Sequence, residues 1–182
     1  MANICDRVVG RAFEQLGELW RCGNSEVFEE HRACEIITQL LFELRNAVRS
    51  PRAAAPLAIG CTAVGDPYSL PTTMVDLALA EAGFSANTLG REIPFDGMIR
   101  AAARMEPTLF WLSVSQVVDP RQFAAEFNSF YEALSQQGTL LVVGGRALTA
   151  ELRPQLSFTT HCDTLQHLQS FAASVMPKLA TA

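Results

Sequence analysis

Glu30 and His31 stand side by side in a helical stretch, ten and eleven residues after Trp20. A neutral imidazole next to a carboxylate is a good donor for a borderline transition metal, and a large aromatic can shield a reactive bond from water. A second group follows an apolar run and reads Gly65-Asp66-Pro67-Tyr68-Ser69-Leu70-Pro71. Its one side chain with metal-binding chemistry besides the aspartate is Tyr68, whose phenol titrates near pH ~10 and ligates as phenolate only when strongly activated. Each group has a plain alternative. Trp20 packs in a helix pair, Glu30 and His31 sit on a solvated face, and the Asp66 loop is a strand-to-helix turn with Pro71 in the first helical turn.

The elements that carry these residues fall into two patterns. From about Asn3 to Arg21, apolar residues recur at Val8, Ala12, Leu16, Leu19 and Trp20, which predicts one helix with one stripe. Gly23-Asn24-Ser25 breaks it, with Asn24 or Ser25 as N-cap of a second helix running to about Val48. Val27, Cys34, Ile37, Leu41 and Leu44 lie along one face of that helix. Pro51 and Pro56 then bracket a linker, because each disfavours helix in the residue before it. The expected division is a helical cap over 1–50, a linker over 51–56 and a sheet domain over 57–182.

Beyond the linker, short apolar runs alternate with amphipathic stretches. Strands are predicted over 57–63, 84–89, 109–115, 140–143 and 158–160. Helices are predicted over 70–82, 95–104 and 120–136, briefly around Thr149, and over 165–179. That alternation predicts an α/β, doubly wound, flavodoxin-like parallel sheet of five strands, with ligands at the carboxyl ends of the strands. Phe123, Phe127, Phe130 and Tyr131 form a helical aromatic stripe and read as core.

Composition narrows the function. Of 182 residues 49% are hydrophobic and 18% charged, enough for a real core. The net charge of -5 argues against direct nucleic-acid binding, which needs a concentrated basic face. Cys5, Cys22, Cys34, Cys61 and Cys162 are odd in number and form no C-x-x-C, a pattern of reduced thiols rather than disulfides or structural zinc. Asp6, Arg7, Arg11 and Glu14 interrupt the first apolar residues, so no secretory leader is expected, and the apolar runs are too short for a membrane span. A cytoplasmic protein is expected. His161 and Cys162 have no partner at metal-ligand spacing and, like Cys61, read as packing residues. No P-loop, G-x-G-x-x-G or Ser-His-Asp arrangement is present, and no enzyme activity is expected.

Over about Ala12 to Leu179 the chain resembles cobalamin-binding modules, especially those of light-sensing transcriptional regulators. The family's loop reads Asp-x-His-x-x-Gly, and here the His position is Tyr68 and the Gly position Pro71. From Pro71, 41 residues precede Ser113, and 28 separate Ser115 from Gly144, so Ser113-Val114-Ser115 and Gly144-Gly145 match the family's Ser-x-Leu and Gly-Gly in spacing. Gly90 reads as the end of the second strand. Trp20 followed by Glu30-His31 matches the family's helical cap.

The resemblance implies a corrinoid, adenosyl- or hydroxocobalamin, with Asp66, Tyr68, Ser69 and Gly90 among its binding residues and Ser113, Ser115, Gly144 and Gly145 lining the slot for the nucleotide tail. It implies that Trp20 covers the upper axial group and that Glu30 and His31 contact it. In the family the loop's Asp fixes the lower His; with Tyr68 there, His31 becomes the expected metal ligand, from above. It further implies a regulatory photoreceptor or antirepressor that acts through a protein partner such as a transcription factor. The same scaffold carrying haem or a bilin, and a cofactor-free interaction adaptor, stand as alternatives. Two amphipathic helices where the family has four invite a homodimer or a hetero-complex through residues 1–50.

Overall fold

The structure, a computed structural model, describes residues 1–23, 26–48 and 54–179. Five strands build one sheet: β1 (Leu57–Ala63), β2 (Ser85–Ile93), β3 (Leu109–Ser113), β4 (Leu140–Gly144) and β5 (Thr160–His161). Their order is β2-β1-β3-β4-β5 and all pairings are parallel. This is the expected doubly wound arrangement. The order reverses between β1 and β3, where a crevice opens beyond the carboxyl ends. Thr62, Ser113 and Gly144 lie side by side in the ladder, so three strand ends finish at one level.

Alternation along the strands sorts the core into two layers. Phe110 and Leu112 of β3 pack with α5 (Phe95–Met105) and α6 (Pro120–Gln136). There Phe95, Phe110, Phe123, Phe127 and Phe130 meet, with Phe110 and Phe130 centroids 5.1 Å apart and edge-on. Leu109 and Trp111 point the other way, against α4 (Ser69–Glu81) and α7 (Leu165–Leu179). Each such buried side chain contributes about 1.5–3 kcal/mol. Gly60 of β1 is obligatory there, since a Cβ would lie 2.2 Å from the Trp111 ring.

The N-terminal helix is less regular than its sequence pattern. Ala2–Ile4 (α1) and Arg11–Arg21 (α2) are α-helical, but Cys5–Gly10 between them is π-helical. The wider i→i+5 winding rotates the downstream face. The buried side is therefore Ala2, Cys5 and Val9, while Val8 and Leu19 of the predicted stripe are exposed.

Helix α3 (Val27–Ala47) packs Leu41 against Leu70 and Leu77 of α4. Val27, assigned to the packed face, is exposed. Arg45 bonds Asp76 Oδ1 of α4 at 2.8 Å and the Ala86 carbonyl of β2, while Asp76 Oδ2 accepts from Thr88 N at 3.0 Å. The N-cap expectation at Asn24 or Ser25 and most of the linker (49–53) lie outside the described residues. Glu26 precedes α3, its backbone N–H held by the Glu29 carboxylate at 2.9 Å.

Other boundaries moved modestly. β2 continues to Ile93, past a register irregularity at its Gly90–Cys61 pairing, so Gly90 is inside an edge strand rather than at its end. The helix expected near Thr149 is a single 3-10 turn at Arg153–Gln155, and β5 is Thr160–His161. No helix among the described residues is long and apolar enough to cross a membrane.

Candidate functional site

The Asp66 loop leaves β1 at the switch point. Asp66 is fully buried, and its carboxylate is committed to backbone. Oδ1 accepts from Tyr68 N at 3.2 Å; Oδ2 accepts from Ser115 N and, at 3.2 Å, from Gln116 N. Burial pushes the Asp66 carboxyl up, opposed by these three donors and by Arg146. Asp66 thus staples the loop after β1 to the loop after β3. The three hydrogen bonds to its carboxylate all come from backbone amides, that of Tyr68 among them.

Tyr68 is exposed, and its ring carries the Arg146 guanidinium at 4.9 Å from the centroid. Arg146 Nε also donates to the Ser115 carbonyl at 3.1 Å. Ser69 opens α4, its carbonyl accepting from Thr73 Oγ1 at 3.0 Å.

Beside this loop, on the α4/α7 side, a slot of about 330 Å³ runs down the ends of β3 and β4. Ser113, Gly144 and Gly145 form its sheet edge, Trp111 and Val142 lie deeper, and Pro71, Met74 and Val75 of α4 face Leu165 and Leu168 of α7. Trp111 donates from Nε1 to Thr72 Oγ1 at 2.7 Å, which fixes the indole in the wall. Gly145 is set by the chain itself: its φ is +127° and a Cβ would lie 2.2 Å from the Val114 carbonyl. Ser115 is just outside, bonded through its N–H to Asp66.

Cys162 also lines the slot and Cys61 lies in β1; burial raises them to about 11 and about 12, so both are protonated thiols. His161 is held down by burial, beside Asp163 (3.6 Å) and Arg153 (3.4 Å).

The cap residues stand apart from the slot lining. Because Arg45 reaches the start of β2, α3 climbs toward the carboxyl edge as it is followed back to its N-terminus. His31 is ten residues before Leu41, about 15 Å farther along at 1.5 Å per residue. Glu30 is half-buried and His31 exposed. Trp20 belongs to α2, but its side chain lies outside the described residues. Gly90 sits on the far edge strand and lines no part of the slot. Among the described residues no three His, Cys, Asp or Glu side chains gather as a metal site.

A corrinoid is the group the sequence resemblance implies, and the residues divide on it. The slot of about 330 Å³ lies beside the strand ends, where the resemblance places the nucleotide tail. The Asp66 loop does not fit a cobalt held from below, since it offers no imidazole, only the phenol of Tyr68 with a guanidinium stacked over its ring. Sequence reasoning missed Trp111, Thr72, Arg146 and the N-terminal residues Cys5, Asp6, Gly10 and Glu14, which close the slot's outer side. No sequence signal marks those four, since they meet the slot only through packing of distant segments.

No family model and no curated protein matches this sequence. Solved structures do. The monomethylamine corrinoid protein of Methanosarcina barkeri aligns at TM-score 0.78 and 15% identity over 96% of this chain and 83% of that one. A cobalamin-binding protein of Desulfitobacterium hafniense DCB-2 aligns at 0.54 and 16%, over 98% and 84%. The methanol:cobalamin methyltransferase complex of M. barkeri aligns at 0.58 and 14%, over 97% and 67%. At these identities the likeness is one of fold, and this chain has the fold of corrinoid proteins.

Proposed function

We propose that this chain is a regulatory corrinoid-binding protein without catalytic activity of its own, acting through a protein partner such as a transcription regulator. The observation that carries this reading is the slot at the ends of β3 and β4, edged by Ser113, Gly144 and Gly145, in a fold shared with corrinoid proteins. Bound there, a corrinoid would supply a cobalt centre with an exchangeable, photolabile upper ligand. Ser113 would face the macrocycle's edge, and Trp20, Glu30 and His31 would meet it from the cap. In this role α2 and α3 change position with the state of the upper face, a population shift that a partner reads. Phe28 (70% exposed) and Phe42 (55%) on α3 supply apolar surface for that partner or for a second copy.

Tyr68 under Arg146 favours one second reading. An exposed phenol with a guanidinium stacked over its ring is an oxygen donor that suits ferric iron better than cobalt, so haem is the alternative tetrapyrrole.

The test is retention on desalting. The protein is mixed in the dark with adenosylcobalamin, hydroxocobalamin, diaquocobinamide or haem, and the co-eluting spectrum is recorded. Retained corrinoid whose spectrum changes in His31→Ala supports the first reading. Retained haem with a spectrum altered by Tyr68→Phe supports the second. If no chromophore is retained, both are wrong.

A further inference from the structure

The slot's outer wall comes from the N-terminal segment. Cys5, Asp6, Gly10 and Glu14 line it, and three of them belong to the π-helical stretch. The segment is pinned across the slot. Asp6 accepts from Leu165 N at 2.9 Å and Gln166 N at 3.0 Å, placing its carboxylate on the first turn of α7, which has no acidic residue of its own. Cys5 and Val9 are buried beneath it.

The slot is also one-signed. Its charged lining residues are Asp6, Glu14 and Asp163, with no Lys, Arg or His among the described residues that line it. Arg153 approaches Asp163 at 3.9 Å but lies outside the lining. The donors at α7 that would attract an anion are already satisfied by Asp6. A phosphodiester entering here meets the carboxylates of Asp6 and Glu14, with the one nearby cation, Arg153, beside Asp163 and outside the lining, which is the repulsive element that specificity requires.

Resting on the corrinoid reading above, we propose that residues 5–14 are a lid whose Asp6 makes the slot select against phosphate. The chain takes corrinoids lacking the nucleotide arm, of the cobinamide type, in preference to complete cobalamin. Asp6 is the specificity-determining residue, and the lid runs directly into α2, so lifting it moves the cap.

Two measurements test this with the whole chain. In titrations followed by absorbance, diaquocobinamide binds roughly tenfold tighter than hydroxocobalamin, and Asp6→Asn brings the two toward parity by improving cobalamin. Equal or tighter binding of cobalamin by the unaltered chain, or a ratio untouched by Asp6→Asn, overturns the selection.

The second measurement needs no ligand. Timed alkylation read by mass spectrometry finds Cys5 and Cys162 slow and exposed Cys22 fast, and Asp6→Asn speeds Cys5 and Cys162 while Cys61 stays protected as the folding control. Cys5 reacting as fast as Cys22 in the unaltered chain overturns the lid. If neither corrinoid binds, the binding reading fails and takes the selection with it, while the alkylation result still decides the lid.

Discussion

Arg146 lies over the ring of Tyr68, its guanidinium carbon 4.9 Å from the centroid, and reaches past it to the Ser115 carbonyl. The pair closes the top of the sheet where the loops after β1, β3 and β4 converge. Arg146→Ala removes both contacts. At this exposed position the ring contact contributes about 0.5–1 kcal/mol and the hydrogen bond about 1 kcal/mol. Urea unfolding should show a loss in that range, with Arg146→Lys intermediate; an unshifted midpoint would mean the pair does not hold the loops.

Asp66 carries a larger structural load. Asp66→Ala leaves the amides of Tyr68, Ser115 and Gln116 without their acceptor, at a cost of about 3 kcal/mol. Asp66→Asn keeps an oxygen for Tyr68 but turns an NH₂ toward two other donors, and should recover less than half of that. Hydrogen exchange at Ser115 and Gln116 should accelerate in both variants. Unchanged protection at those two amides would contradict the staple.

Arg45 and Asp76 join α3 to α4 and β2. Arg45→Met strands a nearly buried carboxylate and should destabilise by about 3 kcal/mol, whereas Arg45→Met with Asp76→Asn should recover part of it. A double variant as unstable as the single one would place the loss in packing of the arginine stem instead.

Stability should also fall on acidification through His161. Burial holds this imidazole below the usual histidine range, outweighing the Asp163 carboxylate, with Arg153 and His167 acting in the same direction as burial. A lowered folded value gives stability that is present above about pH 6.5, the unfolded value, and is lost as pH falls through the folded value. Unfolding midpoints at about pH 7.5 and about pH 5 should differ less in His161→Gln than in the unaltered chain. An identical pH slope in the variant would remove His161 as the cause.

Much of the architecture was legible because its signals are local. The apolar runs at Leu57, Leu109 and Leu140 and the phenylalanine spacing of α6 each declare their element within a few residues. The N-terminal stripe was misplaced because helical period was assumed, and the π-helical turn at Cys5–Gly10 rotates Val8 outward and Val9 inward. The position of Asp66 could be read from its loop, but its bonds could not, since Ser115 is 49 residues away. Asp6 meets Leu165 across 159 residues, a contact no spacing rule reaches. Gly90 was assigned to a strand end by local punctuation, whereas pairing with β1 carries the strand through it.

Trp111 adds a practical property to the slot. It is one of only two tryptophans in the chain, and it is buried in the slot wall with its indole N–H held by Thr72. A Trp20→Phe chain would therefore emit from a single fluorophore placed at the binding surface. Any tetrapyrrole that enters would quench it by energy transfer, while a partner docking on α3 would leave it bright. The protein carries its own optical meter for distinguishing the two events.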